Sequence, residues 1–513
     1  MNFLYVGRQL GLLLIVMSVS VLATAAWAFA RTLLGDASEI APLRALLTTV
    51  SLGGVLGGAL WFAARRCVGQ MGRREALLLV ALSWLIGAAL AALPYRLWVV
   101  FDATSASDHS PFASFVNCYF EAMSGLTTTG ASVLSDIESL PRSLLLWRSL
   151  TQWLGGLGIV VLFVAVLPML GVGGKRLFRV EAPGPTPEGV TPRIQEAARA
   201  LWIIYLALTA ASVVTMKLLG MSWFDSTCHT FTALATGGFS TQNASIGSYD
   251  SVAIDLAVVV FMILAGINFG LYYQCLRRGW RSLLRDPELK WYLGILGLGT
   301  VILAVAIHGQ SITTTSGREI ETGLGDALRY GVFQAVSAQT TTGFCTADFN
   351  GWGFVAKWTI LILMFVGASA GSTGGGIKVI RCLTVFKVLW AEIEHVFRPQ
   401  VVRAVKIGAS TIDAEMKLAT LVYVLVILLI TLGGTSVLLL LEQDAAIDVT
   451  TAFSATVATL NNIGPGLARV GAVENYGWFG DASKWVLSVL MVLGRLEVFT
   501  IAVLVYPRFW RSE

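Results

Sequence analysis

Apolar runs of about 20 residues recur along nearly the whole chain, and this pattern constrains its fold more than any other feature. A helix of that length spans the hydrocarbon core of a bilayer. Of the 513 residues, 56% are hydrophobic and only 13% are charged, which a soluble domain of this size would not tolerate. The pattern therefore predicts an all-α integral membrane protein with ten transmembrane helices. The ten runs lie near residues 10–30, 45–63, 76–99, 144–170, 197–220, 252–275, 291–308, 355–380, 417–441 and 484–506.

Basic residues cluster between the apolar runs and indicate the orientation of the chain rather than a surface for nucleic acid. Because loops rich in Lys and Arg stay in the cytoplasm, the clusters predict a multi-pass protein of the bacterial inner membrane with both termini cytoplasmic. The loops on the opposite side are acidic or mixed. The main clusters are Arg65, Arg66, Arg73 and Arg74; Lys175, Arg176 and Arg179; and Arg277, Arg278, Arg281 and Arg285.

Four related strings of small and polar residues separate pairs of apolar runs, at intervals of about 105 to 121 residues. A single Thr-Thr-Gly string would be no more informative than an ordinary polar turn. Four strings in phase indicate four equivalent copies around one axis, with four packing loops as the alternative. The strings are Leu126-Thr-Thr-Thr-Gly130-Ala-Ser132, Ala235-Thr-Gly-Gly238-Phe-Ser240, Gln339-Thr-Thr-Thr-Gly343-Phe-Cys345 and Leu460-Asn-Asn-Ile-Gly464-Pro-Gly466.

Each string follows a stretch that is compatible with a helix but too short to cross a bilayer. The predicted N-caps of these short helices are Ser110, Asp225, Asp326 and Asp448. The chain must then enter and leave the membrane from the same side, which predicts four re-entrant pore loops in pseudo-fourfold repeat around one central pore. Non-helical backbone at this depth is stable only inside protein or along a water-filled path.

These strings suit the binding of a dehydrated monovalent cation. Rings of backbone carbonyl oxygens can replace the hydration shell of such an ion. Glycine accepts the backbone angles that such a path requires, and threonine adds a hydroxyl oxygen on a stiff side chain. The short helices direct their partly negative C-terminal ends towards the centre, which also favours a cation.

At these strings the sequence resembles the Trk/Ktr/HKT superfamily of potassium transporters, most closely its bacterial TrkH and TrkG membrane subunits. The resemblance covers nearly the whole chain. Beyond the four strings it rests on Trp153-Leu-Gly-Gly156-Leu-Gly158, Gly371-Ser-Thr-Gly-Gly-Gly-Ile-Lys378, Thr459-Leu-Asn-Asn-Ile-Gly-Pro-Gly466 and Gly494-Arg-Leu-Glu-Val-Phe-Thr500.

The resemblance implies two extra N-terminal helices followed by four units, each with an outer helix, a pore loop and an inner helix. It also implies a homodimer in the lipid bilayer with one pore in each protomer. Gating would come from a separate cytosolic nucleotide-binding ring similar to TrkA. The predicted ranges are 1–70 for the N-terminal helices and 71–182, 183–286, 287–408 and 409–513 for the four pore repeats.

Carried over residue by residue, the resemblance also implies a filter for K⁺. Gly130 stands where sodium-transporting plant members have serine, which points to potassium. Each string has one family-wide glycine, so we expect moderate selectivity, with Rb⁺ accepted and Na⁺ partly excluded, and no covalent cofactor. The implied filter residues are Thr128, Thr129 and Gly130; Thr236, Gly237 and Gly238; Thr341, Thr342 and Gly343; and Asn462, Ile463 and Gly464.

A run of small residues, 367–376, interrupts the eighth apolar run and cannot hold a good helix. The resemblance implies an intramembrane gate below the filter, and close helix packing is the alternative. Arg495 is costly inside the last apolar run, so it either faces the pore below the filter or pairs with an acid such as Glu497. Lys378 marks the end of its helix or senses a partner. The predicted gate residues are Gly371, Ser372, Thr373, Gly374, Gly375, Gly376, Lys378 and Arg495.

The alternative function is a proton- or sodium-coupled potassium symporter, which would need carboxylates inside the membrane. Only Glu121 and Glu497 stand out as candidates in the apolar runs. An enzyme is not expected, because the sequence offers no combination of nucleophile, base and orienting group and no metal-ligand spacing. A gated, channel-like pore for potassium uptake is therefore the predicted function.

Overall fold

The computed structural model describes residues 1–67, 72–102, 110–165, 190–400, 404–408, 410–443, 445 and 447–511. The predicted cytoplasmic cluster of Lys175, Arg176 and Arg179 lies outside these residues. Two small antiparallel hairpins accompany the helices, β1 (Ser311–Thr313) with β2 (Glu319–Glu321) and β3 (Lys406–Ile407) with β4 (Ser410–Thr411).

Helices form most of the described chain, as expected from its apolar runs. They are α1 (Phe3–Leu33), α2 (Ile40–Ala63), α3 (Arg73–Phe101), α4 (Phe115–Leu126), α5 (Arg142–Ala165), α6 (Val190–Leu218), α7 (Trp223–Leu234), α8 (Val252–Gly266), α9 (Phe269–Arg278), α10 (Arg281–Arg285), α11 (Pro287–Ile307), α12 (Leu324–Gln339), α13 (Phe354–Phe365), α14 (Val379–Phe397), α15 (Ala414–Leu441), α16 (Val449–Leu460), α17 (Asp481–Arg495) and α18 (Phe499–Val505).

Six of these helices are long and apolar enough to cross a membrane within the described residues: α1, α2, α3, α6, α11 and α15. A seventh span results if α8 and α9 are counted as one broken span. Many of their large apolar side chains are exposed, as expected for surfaces that meet lipid. The fold is thus all-α and of the membrane type.

Within the described residues, three of the apolar runs are broken. The run 252–275 bends by 85° between α8 and α9, where Asn268 caps the second helix through its side chain. The run 484–506 breaks between α17 and α18. The third break, between α13 and α14, is the one that the small residues predicted. Hydropathy misses the first two breaks because apolar residues still outnumber polar ones around them, although Asn268 lies at the first break and Arg495 and Glu497 lie at the second.

The elements repeat four times in one order: a long helix, a short helix, an irregular segment and a second helix. The long helices are α3, α6, α11 and α15, and the short ones are α4, α7, α12 and α16. Asp448 caps its short helix as predicted, but the caps of the other three are Ser114, Ser222 and Gly323. Asp225 and Asp326 lie instead in the first turns, where their charge favours the helix N-terminus.

Candidate functional site

The four short helices end in the same hydrogen-bonded turn. After α4, the Thr128 N–H donates to the Gly125 carbonyl at 3.0 Å and the Thr129 N–H to the Ser124 carbonyl at 2.8 Å. This Schellman motif satisfies the last carbonyls of the helix and turns the chain sharply. The other three short helices have the equivalent pair of bonds. We call the residues that follow the helices the glycine segments: 127–132, 235–240, 340–345 and 461–466.

The residue that makes each turn has a left-handed backbone, with φ between 53° and 58°. Helices usually end in this way on glycine, whereas a β-branched residue is a rare exception. Such a conformation costs about 1–3 kcal/mol, so the surroundings must hold it in place. Each of the four residues is at most 1% exposed. They are Thr128, Thr236, Thr341 and Asn462.

The four glycine segments form a closed ring. Their glycines have φ values of +77° to +98°, and a Cβ atom built on any of them would overlap the neighbouring segment. The contacts run in chain order and return to the start, so each segment touches the next through backbone atoms. The pairs are Gly130 with the Gly237 carbonyl, Gly238 with Thr342, Gly343 with Ile463 and Gly464 with Thr129.

One cavity of about 110 Å³ lies against this ring. Gly130, Gly238, Gly343 and Gly464 all line it, so four glycines that are distant in sequence meet at one place. Its lining also includes hydroxyl groups and backbone polar groups from the ends of the segments. The ring is therefore the floor of a cavity whose lining is largely polar.

Side chains from other elements hold the ring. The Gln152 amide in α5 donates to the Gly237 carbonyl at 2.7 Å and accepts from the Phe239 N–H at 3.1 Å. The Tyr476 hydroxyl donates to the Gly464 carbonyl at 2.7 Å. Each of these carbonyls keeps a second lone pair for another partner. Neither of these side-chain contacts was predicted, because Gln152 and Tyr476 lie outside the four strings.

Asn462 joins the fourth segment to the first. Its side-chain amide donates to the Thr129 hydroxyl at 3.0 Å and to the Met491 carbonyl of α17 at 2.9 Å. Threonine occupies the equivalent position in the other three segments and cannot make two such donations. The ring is therefore closed asymmetrically at this junction.

Residues 366–378, which we call the interrupting loop, lie directly against the ring. The Gly375 N–H donates to the Thr341 hydroxyl at 2.6 Å. The Thr373 hydroxyl donates to the Leu234 carbonyl at 2.9 Å, at the end of α7. The loop therefore contacts the third glycine segment and the short helix of the second unit. Ser372 and Thr373 are fully buried.

Arg495, at the end of α17, donates to the Thr373 carbonyl of the interrupting loop at 2.8 Å. It also donates to the Gly155 carbonyl of α5 at 3.1 Å. Among the residues that the structure describes, no carboxylate lies within 4 Å of its guanidinium. The pairing with Glu497 that the sequence left open is therefore not made, and this buried cation binds the loop instead.

Glu497 pairs with Arg381 of α14 at 2.6 Å. Glu497 and Val498, in the break between α17 and α18, both have positive φ values, of 56° and 45°. This strained turn was not predicted, since no glycine or proline marks it. Lys378 is the N-cap residue of α14, is buried and donates to the Gly374 carbonyl of the interrupting loop.

The approach of α5 to the ring gives a first prediction. A Cβ on Gly155 would overlap the Leu126 carbonyl at the end of α4, whereas nothing lies within 4 Å of a Cβ on Gly158. We expect Gly155→Ala to destabilise the protein by about 1–3 kcal/mol, because α5 must move away from α4. Thermal unfolding in detergent measures this, with Gly158→Ala in the same helix as the control. Equal melting temperatures for the two variants would contradict the close packing.

Long lipid-facing helices around a buried ring of backbone polar groups define an integral membrane protein of the all-α class. Within that class the chain belongs to the TrkH family of cation transport proteins, whose sequence model matches residues 55–512. The resemblance inferred from the motifs is thereby confirmed.

Several transport proteins are similar over nearly their full length. The Trk system potassium uptake protein TrkH of Vibrio parahaemolyticus is 37% identical over 521 residues, with 100% of both chains covered. TrkH of Halomonas elongata is 38% identical over 518 residues, again with 100% of both covered. TrkG of Escherichia coli is 33% identical over 463 residues, and the alignment covers 89% of this chain and 90% of the TrkG chain.

The fold is also similar to that of a solved structure. The crystal structure of the potassium transporter TrkH from Vibrio parahaemolyticus matches with a TM-score of 0.86 and 35% identity, covering 100% of both chains. These relatives are named as transport proteins and not as enzymes, which confirms the expectation that this chain is not an enzyme.

Proposed function

We propose that this chain is the membrane subunit of a Trk-type potassium uptake system and that K⁺ passes through the ring of glycine segments. The observation that carries the proposal is the closed ring itself, in which four equivalent turns hold four glycines against one polar cavity. Relatives that are similar over the full chain are named potassium uptake proteins. The four segments then act as re-entrant pore loops, and the ten predicted spans surround them.

The ring offers K⁺ oxygen ligands in place of water. The short helices end at the ring, so their partly negative C-termini face an ion held there. The backbone carbonyls and threonine hydroxyls of the segments provide the ligands, and the strained turns fix their positions before an ion arrives. Rb⁺, which is similar in size to K⁺, is accepted. The proposed ligands are the residues implied by the resemblance: Thr128, Thr129 and Gly130; Thr236, Gly237 and Gly238; Thr341, Thr342 and Gly343; and Asn462, Ile463 and Gly464.

The interrupting loop is the gate in this proposal. It packs against the ring and is held by hydrogen bonds from Arg495 and to Thr341 and Leu234. Its glycines let it change path at low cost, since φ is already +70° at Gly371 and +68° at Gly376. Arg495 adds a positive charge next to the ion path while the loop is closed. Release of the hydrogen bonds that hold the loop opens the route to the cytoplasm.

The four pore repeats and the two N-terminal helices follow the ranges predicted from the sequence, with both termini in the cytoplasm of a bacterium. The protein works as a homodimer in the lipid of the inner membrane. A cytosolic, nucleotide-binding ring similar to TrkA controls the gate. The designation of the relatives as parts of a Trk system supports a regulatory partner of this kind.

A coupled symporter is less well supported by the positions of the carboxylates. Glu121 is paired with Arg148 at 2.7 Å, and Glu497 with Arg381 at 2.6 Å. Each of these carboxylates is already engaged by an arginine, whereas a coupling site needs a carboxylate that is available to the coupling ion. Channel-like flux down the electrochemical gradient fits these pairs better.

Uptake of radioactive Rb⁺ into K⁺-loaded liposomes tests the function. We expect uptake that is driven by the K⁺ gradient, is blocked by external K⁺ and is indifferent to imposed Na⁺ and proton gradients. Protein-free liposomes and the full chain with valinomycin added are the two controls. Uptake that required a Na⁺ or proton gradient would instead establish the symporter.

A further inference from the structure

A buried ion pair lies beside the ring. Glu121 of α4 and Arg148 of α5 are 0% and 1% exposed. The Glu121 carboxylate accepts from two nitrogens of the guanidinium, at 2.7 Å and 2.9 Å. Burial of such a pair rarely adds stability compared with apolar side chains of the same size. Its position therefore calls for an explanation other than stability.

Glu121 holds the outer end of the first glycine segment. It accepts from the Ser132 hydroxyl at 3.0 Å and from the Val133 N–H at 2.9 Å. The residue nine positions before the segment glycine is glutamate in the first unit only. In the other units this position is His229, Gln334 and Ala455.

The second unit makes a similar contact without a carboxylate. There the His229 ring lies 3.0 Å from the Ser240 hydroxyl, and Ser240 occupies the same position as Ser132. A short helix therefore braces the end of its glycine segment in both units. The negative charge of Glu121 is not required for bracing, so it serves another purpose.

Arg148 connects the first unit to the second. Its guanidinium donates to the Ser132 hydroxyl and to the Ser240 carbonyl, both at 3.3 Å, and lies 4.1 Å from the centre of the Phe239 ring. Arg148 also lines the cavity above the ring, together with the four glycines. A permanent positive charge thus stands where, by the proposed function, cations enter.

We propose that the Glu121–Arg148 pair determines both the charge and the width of the outer mouth. Arg148 is a positioning residue that ties the first two glycine segments together, and Glu121 cancels its charge so that cations still enter. An uncancelled charge about 10 Å from an ion, at an effective dielectric constant of about 20, lowers the local cation concentration by roughly tenfold. This inference rests on the proposed function and adds a residue pair outside the filter strings.

The test separates charge from packing in the full-length protein in liposomes. Glu121→Gln keeps the shape of the side chain but leaves the positive charge of Arg148 without a counter-charge. We therefore expect Rb⁺ uptake at low ionic strength to fall about tenfold. Added impermeant salt should recover part of that loss by screening. The double variant Glu121→Gln with Arg148→Gln should restore uptake, because both charges are gone. Its preference for K⁺ over Na⁺ should nevertheless be weakened, because the tie between segments is lost.

Asp255→Asn is the matched control. Asp255 is 2% exposed and pairs with Arg329 at 2.7 Å, but neither residue lines the cavity at the ring. This variant should lower the melting temperature without changing uptake or its dependence on salt. If Glu121→Gln behaves in the same way as Asp255→Asn, the pair is only structural and the inference is overturned.

Arg148→Lys provides a second, independent variant in case Glu121→Gln does not fold. Lysine keeps the charge but lacks the planar fork that reaches Ser132 and Ser240 together. We expect uptake within about twofold of the native rate and a weaker preference for K⁺ over Na⁺. An unchanged preference would contradict the positioning role. Failure of the native protein to take up Rb⁺ would instead contradict the proposed function, so the two failures are distinguishable.

Discussion

Replacement of Gly130 by serine is expected to reduce the preference for K⁺ over Na⁺ by about tenfold. Gly130 has a φ of +83°, and a Cβ there would overlap the Gly237 carbonyl of the neighbouring segment. A side chain in this conformation costs about 1–2 kcal/mol, and separation of the two segments relieves only part of that strain. Since tenfold selectivity corresponds to about 1.4 kcal/mol, even a small shift of the ring affects discrimination.

Competition of unlabelled K⁺ and Na⁺ against Rb⁺ uptake measures this change. Gly220→Ser is the matched control, because Gly220 also has a positive φ, +111°, but nothing lies within 4 Å of a Cβ there. The control should share the backbone strain and keep the native preference. If the Gly130 variant also kept the native preference, Gly130 would have to be removed from the proposed filter.

The sequence predicted the parts of this fold that depend on local pattern. Hydropathy located α1, α2, α3, α6, α11 and α15, because each is a continuous apolar run of sufficient length. The period of the four strings predicted that Gly130, Gly238, Gly343 and Gly464 would meet, and they line one cavity. Local composition also predicted the interruption at 366–378, which is rich in small residues.

The features that were missed depend on contacts between distant residues. The left-handed turns at Thr128, Thr236 and Thr341 are stabilised by the surrounding fold against the preference of threonine itself. The clamp between Gln152 and Gly237 joins residues from different units. The break at Glu497 is not marked by glycine or proline at the turn itself, and Glu497 pairs there with Arg381 from another helix.

Asn268 is a local sequence signal for the break between α8 and α9. It is a polar residue inside a long apolar run and caps α9 by accepting from the Gly270 N–H at 2.7 Å. Asparagine is a preferred N-cap, so its presence in mid-span predicts a helix start rather than a continuous span. Its neighbour Phe269 also donates through its N–H to the Gly371 carbonyl at 3.1 Å, so this break contacts the interrupting loop.

Deletion of residues 372–375 from the interrupting loop is expected to raise basal Rb⁺ uptake by at least about tenfold. The deletion removes the hydrogen bonds of Thr373 with Leu234 and Arg495, and that of Gly375 with Thr341. Three bonds of about 1 kcal/mol each would correspond to a change of roughly a hundredfold in the closed population if they acted independently. Uptake into liposomes without any regulatory partner measures the basal leak.

Point variants of Thr373 distinguish gating from packing. Thr373→Val keeps the shape and loses the hydroxyl bonds to Leu234 and Ala265, so it should leak less than the deletion but more than the native protein. Thr373→Ser keeps the hydroxyl and should not leak. A deletion variant that is silent, or no leakier than the native protein, would assign the loop to helix packing.

The selectivity of the leak then shows whether gate and filter are separate. The loop meets the ring through the Thr341 hydroxyl, and its removal leaves the ring contact between Gly130 and the Gly237 carbonyl in place. That contact joins the first and second glycine segments and does not involve the loop. We therefore expect the leak to retain most of the native preference for K⁺ over Na⁺. A leak that passed both ions equally would mean that the loop also stabilises the filter. The gate and the filter would then not be separate parts of the protein.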